Sequence, residues 1–91
     1  MSVDVRLPNI LRPAAGGKAT VSAEGATVGE VFDDLIRQHP GLKDQLLTAE
    51  GEPHRHLNVF LNDDDIGYLG KLDAKVGEKD TLTLMPAVAG G

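Results

Sequence analysis

Between Thr27 and Pro40 the chain has room for one kind of element. Val28, Val31, Phe32, Leu35 and Ile36 recur at i, i+3, i+4, i+7 and i+8, the spacing of one face of an α-helix. Asp33, Asp34, Arg37 and Gln38 fill the opposite face. Thr27 stands where an N-cap belongs, and Glu30, three residues on, completes a capping box. His39-Pro40-Gly41 ends the helix, because Pro40 disfavours helical geometry at the residue before it. A helix with one apolar stripe must lay that stripe against something, and the flanking sequence supplies strands.

Val3, Val5 and Leu7 alternate with Ser2, Asp4 and Arg6, the pattern of a half-buried strand closed by Pro8. Residues 9–18 contain Pro13 and the Gly16-Gly17 pair and read as a long hairpin connection with the glycines as its turn. Ala19, Val21 and Ala23 share one face of a second strand. Beyond the helix, residues 42–47 read as a short helical turn with Leu42, Leu46 and Leu47 inward, and residues 48–55 as a polar loop. Leu57, Val59 and Leu61 alternate with Asn58, Phe60 and Asn62 in a third strand. Asn62-Asp63-Asp64-Asp65 is expected as a turn, residues 66–68 as a brief fourth strand, 69–76 as an irregular crossover and 77–80 as a turn. Leu82 and Leu84 alternate with Thr81, Thr83 and Met85 in a last strand that Pro86 ends. A hairpin, one long helix and a return to strands is an α+β layout, with the helix packed across one face of the sheet. The expected organisation is one domain over residues 1–86 and a flexible C-terminal tail over residues 87–91.

With 91 residues and 41% apolar content the chain supports one small core. Its three aromatics, Phe32, Phe60 and Tyr68, require that core to be built from aliphatic side chains. Little space is left for a deep substrate cavity, which argues against an enzyme. A net charge of −5 without a basic stripe argues against nucleic acid as partner. The acidity either steers a basic partner or simply keeps the domain in solution. The absence of cysteine excludes disulfides, thiolate catalysis and Cys-ligated metal. Met1-Ser2-Val3-Asp4-Val5-Arg6 has no apolar leader region and no run reaches membrane-spanning length, so no membrane partner is expected and the cytoplasm is the expected location.

Chemistry is concentrated at the end of the chain, Ala87-Val88-Ala89-Gly90-Gly91. Without Cβ atoms, Gly90 and Gly91 form the thinnest peptide that can enter another protein's active site, with the α-carboxylate of Gly91 at its tip. Such an end leads to the expectation that the chain is a substrate, its terminus being the reactive group.

The order of elements together with this tail resembles the ubiquitin-like β-grasp proteins, and more narrowly the sulfur carriers of the MoaD/ThiS family. The specific segment is Met85-Pro86-Ala87-Val88-Ala89-Gly90-Gly91. Leu7-Pro8-Asn9-Ile10-Leu11-Arg12-Pro13 and Asn58-Val59-Phe60-Leu61-Asn62-Asp63 resemble most the CysO-like branch, which serves cysteine biosynthesis. The resemblance implies that an E1-like enzyme uses ATP to adenylate the Gly91 carboxylate. Sulfur then displaces AMP, and the resulting C-terminal thiocarboxylate passes its sulfur to a biosynthetic enzyme, cysteine-synthase-like or a thiazole or thiosugar synthase. It implies no cofactor on the chain itself, and the lack of a phosphate-binding glycine loop agrees that ATP binds the partner. Ala87, Val88, Ala89 and Gly90 would lie in the partner's active site, with Gly91 the modified residue. Two alternatives share this terminus: a ubiquitin-like modifier joined to lysines, and the small subunit of a molybdopterin synthase.

Alternation places Phe60 and Met85 on the sheet face opposite the helix. Either they form an exposed apolar patch on which the activating enzyme docks, or a loop covers one or both. His54-Arg55-His56 offers two imidazoles, too few for a metal, and Asn62-Asp63-Asp64-Asp65 lacks the alternating ligands, glycine and terminal Glu of a calcium loop. Neither is expected to bind metal. Ser2 and Ser22 have no triad partners.

Overall fold

The computed structural model describes residues 2–52, 54 and 57–86. Five strands form a mixed sheet in the spatial order β2-β1-β5-β3-β4, with β1 at Ser2–Arg6, β2 at Thr20–Glu24, β3 at Leu57–Leu61, β4 at Asp64–Asp65 and β5 at Thr81–Pro86. β5 runs parallel to β1 and antiparallel to β3, and the two outer pairs are antiparallel hairpins. The helix α1, Val28–Gln38, crosses one face; a short helix α2, Lys43–Leu46, follows it. This is the β-grasp layout expected from the order of elements.

Helix α1 starts and stops where its sequence dictates. The Thr27 hydroxyl accepts from the Glu30 N–H at 3.2 Å, and the Glu30 carboxylate reaches back to the Ala26 N–H at 2.8 Å. At the other end the His39 N–H donates to the Leu35 carbonyl at 2.7 Å, and Pro40 begins a 3₁₀ turn. Val28, Val31, Phe32 and Leu35 are fully buried and Ile36 packs at the margin. They meet Val3, Val5, Val21, Val59, Leu82 and Leu84, the inward residues of the strands, with Leu42 and Leu46 closing one side. The core is aliphatic apart from Phe32, and no polar residue is buried among the described residues.

Two connections carry more structure than their composition suggests. The link between β1 and β2 holds a 3₁₀ turn at Arg12–Ala15 that buries Leu11 and Ala15, and the Gly16-Gly17 pair turns the chain with both φ angles positive (71° and 84°). The crossover before β5 contains a 3₁₀ turn at Lys71–Asp73 and then locks onto the start of α1. Val28 donates to the Ala74 carbonyl at 2.9 Å and Val76 to the Ala26 carbonyl at 3.0 Å.

The fourth strand corrects the sequence expectation. Strand pairing occupies Asp64–Asp65, and Ile66–Tyr68 is a 3₁₀ turn. Asn62 adopts a left-handed conformation (φ 57°), so only two residues separate Leu61 from its partner Asp64 and pairing resumes at once. The Asp65 carboxylate then accepts from the Gly67 N–H at 2.8 Å, a cap that draws the backbone out of the sheet.

Candidate carrier terminus and its docking face

The strand that leads to the chain's end is the central one. β5 pairs with β1 only as far as Arg6↔Thr83, because β1 stops before Pro8, whereas pairing with β3 continues to Leu57↔Pro86. Leu82 and Leu84 anchor it in the core; Met85 and Pro86 are held from one side. The expected site residues Ala87, Val88, Ala89, Gly90 and Gly91 lie outside the described residues.

On the sheet face opposite α1, strand register builds a cross-strand row of Thr20, Arg6, Thr83, Phe60 and Asp65. Met85 lies two residues along β5 from Thr83, making it the diagonal neighbour of Phe60 at a spacing of about 7–8 Å. Met85 is 49% exposed and Phe60 half-buried. The structure therefore brings the expected docking residues together, on the expected face, a short step from the root of the tail.

Beyond Met85 on the β1 side is a shallow cleft that the sequence reading missed, lined by Arg6, Arg12, Thr20, Thr83 and Met85 among others. Arg12 comes to it from the loop after β1. Its Nε donates to the Leu7 carbonyl at 3.1 Å and a terminal nitrogen donates to the Asn9 side-chain oxygen, so the guanidinium is held by its own loop. Alternation in β1 already placed Arg6 on this face. Nothing local in the sequence signals that residues 8–12 fold back to put a second arginine beside it.

The remaining candidates have structural roles. His54 is tied by its backbone, donating to Leu46 at 3.0 Å and accepting from Leu57 at 3.1 Å; His56 lies outside the described residues. Among the described residues no three His, Cys, Asp or Glu side chains are grouped to hold a metal ion. No helix there is long and apolar enough to cross a membrane. Asn62 donates to Asp80 at 3.1 Å and accepts from the Thr81 N–H at 3.1 Å, fastening the β3–β4 turn to the start of β5. The Asn62 amide and the Gly77 N–H hold the Asp80 carboxyl below the usual aspartate range.

The sequence profile of the ThiS family matches residues 5–91. The chain belongs to the ThiS family. Among relatives, it is 41% identical to the sulfur carrier protein CysO of Mycobacterium tuberculosis over 93 aligned positions covering the whole of both chains. It is 35% identical to small archaeal modifier protein 1 of Haloferax volcanii, over 89% of this chain and 91% of that one. A chain in the crystal structure of the Amycolatopsis orientalis BexX/CysO complex superposes with a TM-score of 0.89 at 48% identity, covering 98% of this chain and 99% of that one. In this ThiS-family member, β5 and its exposed Met85 are the parts of the described structure that stand next to residues 87–91 in sequence.

Proposed function

We propose that this chain is a sulfur carrier whose reactive group is the carboxylate of Gly91. The observation that carries the reading is 41% identity with CysO over the full length of both chains, within a ThiS-family match that runs through Gly91. A carboxylate is a poor electrophile. In the first step its oxygen attacks the α-phosphorus of ATP on an E1-like enzyme, and pyrophosphate leaves. Sulfide (HS⁻) then attacks the acyl carbon of the adenylate, AMP leaves and the sulfur sheds its proton, so that a thiocarboxylate stores sulfur as a nucleophile. Gly90 and Gly91 let the partner's channel close on the backbone, where a side chain would clash. Ala87, Val88 and Ala89 lie within that channel, and Phe60 with Met85 rests on the enzyme outside it.

The chain on this reading is a cytoplasmic substrate that performs no catalysis of its own, and both ATP and the sulfur-accepting chemistry belong to partners. Association of a similar chain with another protein has precedent in the solved BexX/CysO complex. Cysteine is the favoured product, given the CysO likeness. Absence of cysteine from the chain leaves the activated terminus without an internal thiol to intercept it.

The experiment is intact mass spectrometry of the protein from its native host, where a fraction should have one oxygen replaced by sulfur at Gly91. Similarity to an archaeal modifier protein supports a second reading, transfer of the same adenylate to lysines. Recovery of isopeptide-linked conjugates with no thiocarboxylate would replace the first reading with the second.

A further inference from the structure

We propose that the cleft formed by Arg6 and Arg12 beside the root of the tail is a recognition site for a carboxylate-bearing segment of the activating enzyme, set next to the apolar contact made by Met85. This inference rests on the carrier reading above and specifies how the partner is selected.

Both arginines are suited to an acidic partner. Arg6 is exposed, and no carboxylate comes within 4.0 Å of it among the described residues, whose only ion pair is Arg37 with Asp34. The nearest acid along β1 on the same face, Asp4, accepts from the Ser22 hydroxyl at 3.4 Å. Arg12 is fixed in place by Leu7 and Asn9 through two of its nitrogens, so less side-chain freedom is lost when the remaining terminal nitrogen binds. Among the described residues no acidic side chain lines the cleft, although the chain carries 14 acidic residues against 9 basic ones. A cationic notch on an acidic body attracts a carboxylate while the rest of the surface repels other acidic proteins, which is a selectivity device.

Position selects the occupant. On the carrier reading Gly91 is the fifth residue beyond Pro86, which when drawn out in the enzyme's channel reaches roughly 17 Å at most. A guanidinium in the cleft is therefore remote from the reacting carbonyl and reads the rim of the enzyme's channel, while the adenylate phosphate stays with the enzyme. Met85 borders both the cleft and Phe60, so a partner that takes in the tail to its root meets the two surfaces together.

The test is ATP–pyrophosphate exchange by the activating enzyme purified from the host, measured against concentration of the carrier and of salt. Wild type should stimulate exchange and the chain lacking Gly91 should not; failure of that pair of controls would strike at the carrier reading itself. Arg6→Glu should raise KM for the carrier about tenfold or more, with kcat unchanged. Lys79→Glu, an exposed site in the turn before β5, changes net charge equally and should leave KM within about twofold. Arg6→Gln, which introduces no repulsion, should flatten the salt dependence of KM relative to wild type. Equal effects of Arg6→Glu and Lys79→Glu, or coincident salt dependence for Arg6→Gln and wild type, would overturn the proposal. Melting curves of the three variants matching wild type tie the KM change to the cleft; a melting loss confined to Arg6→Glu leaves the salt dependence of Arg6→Gln to decide.

Discussion

Gly25 shows how closely the helix approaches the strand before it. A Cβ at this position would sit 2.7 Å from the Val31 nitrogen and 2.8 Å from the Glu30 carbonyl carbon, backbone atoms that cannot swing aside. Gly25→Ala should therefore cost about 1–3 kcal/mol by forcing α1 off the sheet, a loss readable by urea denaturation. No feature of Glu24-Gly25-Ala26 announces this contact, since it exists only once the helix has turned back over β2. Phe60 is a different case. Being half-buried on the open face and outside the core cluster, it can be truncated without opening the interior. Phe60→Ala should cost no more than about 1–2 kcal/mol, well below a core aromatic deletion, yet weaken adenylation. Unfolding of that variant would assign Phe60 to the core and remove the patch.

At the scale of elements, β2 lies at an edge of the sheet, and α1 closes part of that edge with side chains. The Glu24 N–H donates to Asp34 Oδ2 at 2.9 Å, and the Gln38 amide donates both to the Ser22 carbonyl at 3.2 Å and to Asp34 at 2.8 Å. Exposed strand edges pair with other chains, so the cluster both braces α1 and blocks association. Asp34 also pairs with Arg37. The Glu24 N–H first, then Arg37 and Gln38, hold the Asp34 carboxyl below the usual aspartate value of 3.8. The sign follows: a carboxyl whose pKa falls on folding stabilises the fold fully above its unfolded pKa, and the contribution disappears as pH drops through the lowered one. The melting temperature should thus fall as pH drops below about 4. Asp34→Asn should shallow that acid limb, and the Asp34→Ala chain should self-associate more readily by sedimentation.

Elements also differ in how far sequence could reach them. Helix α1 was legible because its stripe, cap and stop signal all act within a few residues. The fourth strand was misplaced by two residues, because its start depends on one left-handed asparagine and its end on one side-chain cap. The apposition of Arg6 and Arg12 was invisible for a related reason: alternation fixes the face of Arg6, but the loop's path fixes Arg12.

For the molecule as a whole, stability should be graded about the central strand. β5 is bonded on both sides, with Leu82 and Leu84 fully buried in the core, whereas Tyr68 is 90% and Leu69 41% exposed in the crossover region. Amide hydrogen exchange should accordingly be slowest at β5 and its neighbours in β1, and fastest around Tyr68 and Leu69. Uniform protection across these regions would contradict that gradient.

The parallel register of β1 and β5 has a mechanical side. On the proposed carrier reading, a pull on the chain's end by a partner would run along β5, across the bonds joining it to β1 and β3. Those bonds share the load in shear instead of opening one after another from an end. A tug beyond Pro86 would therefore be spread over the middle of the sheet, and on that reading a partner could hold the end firmly without unravelling the body behind it.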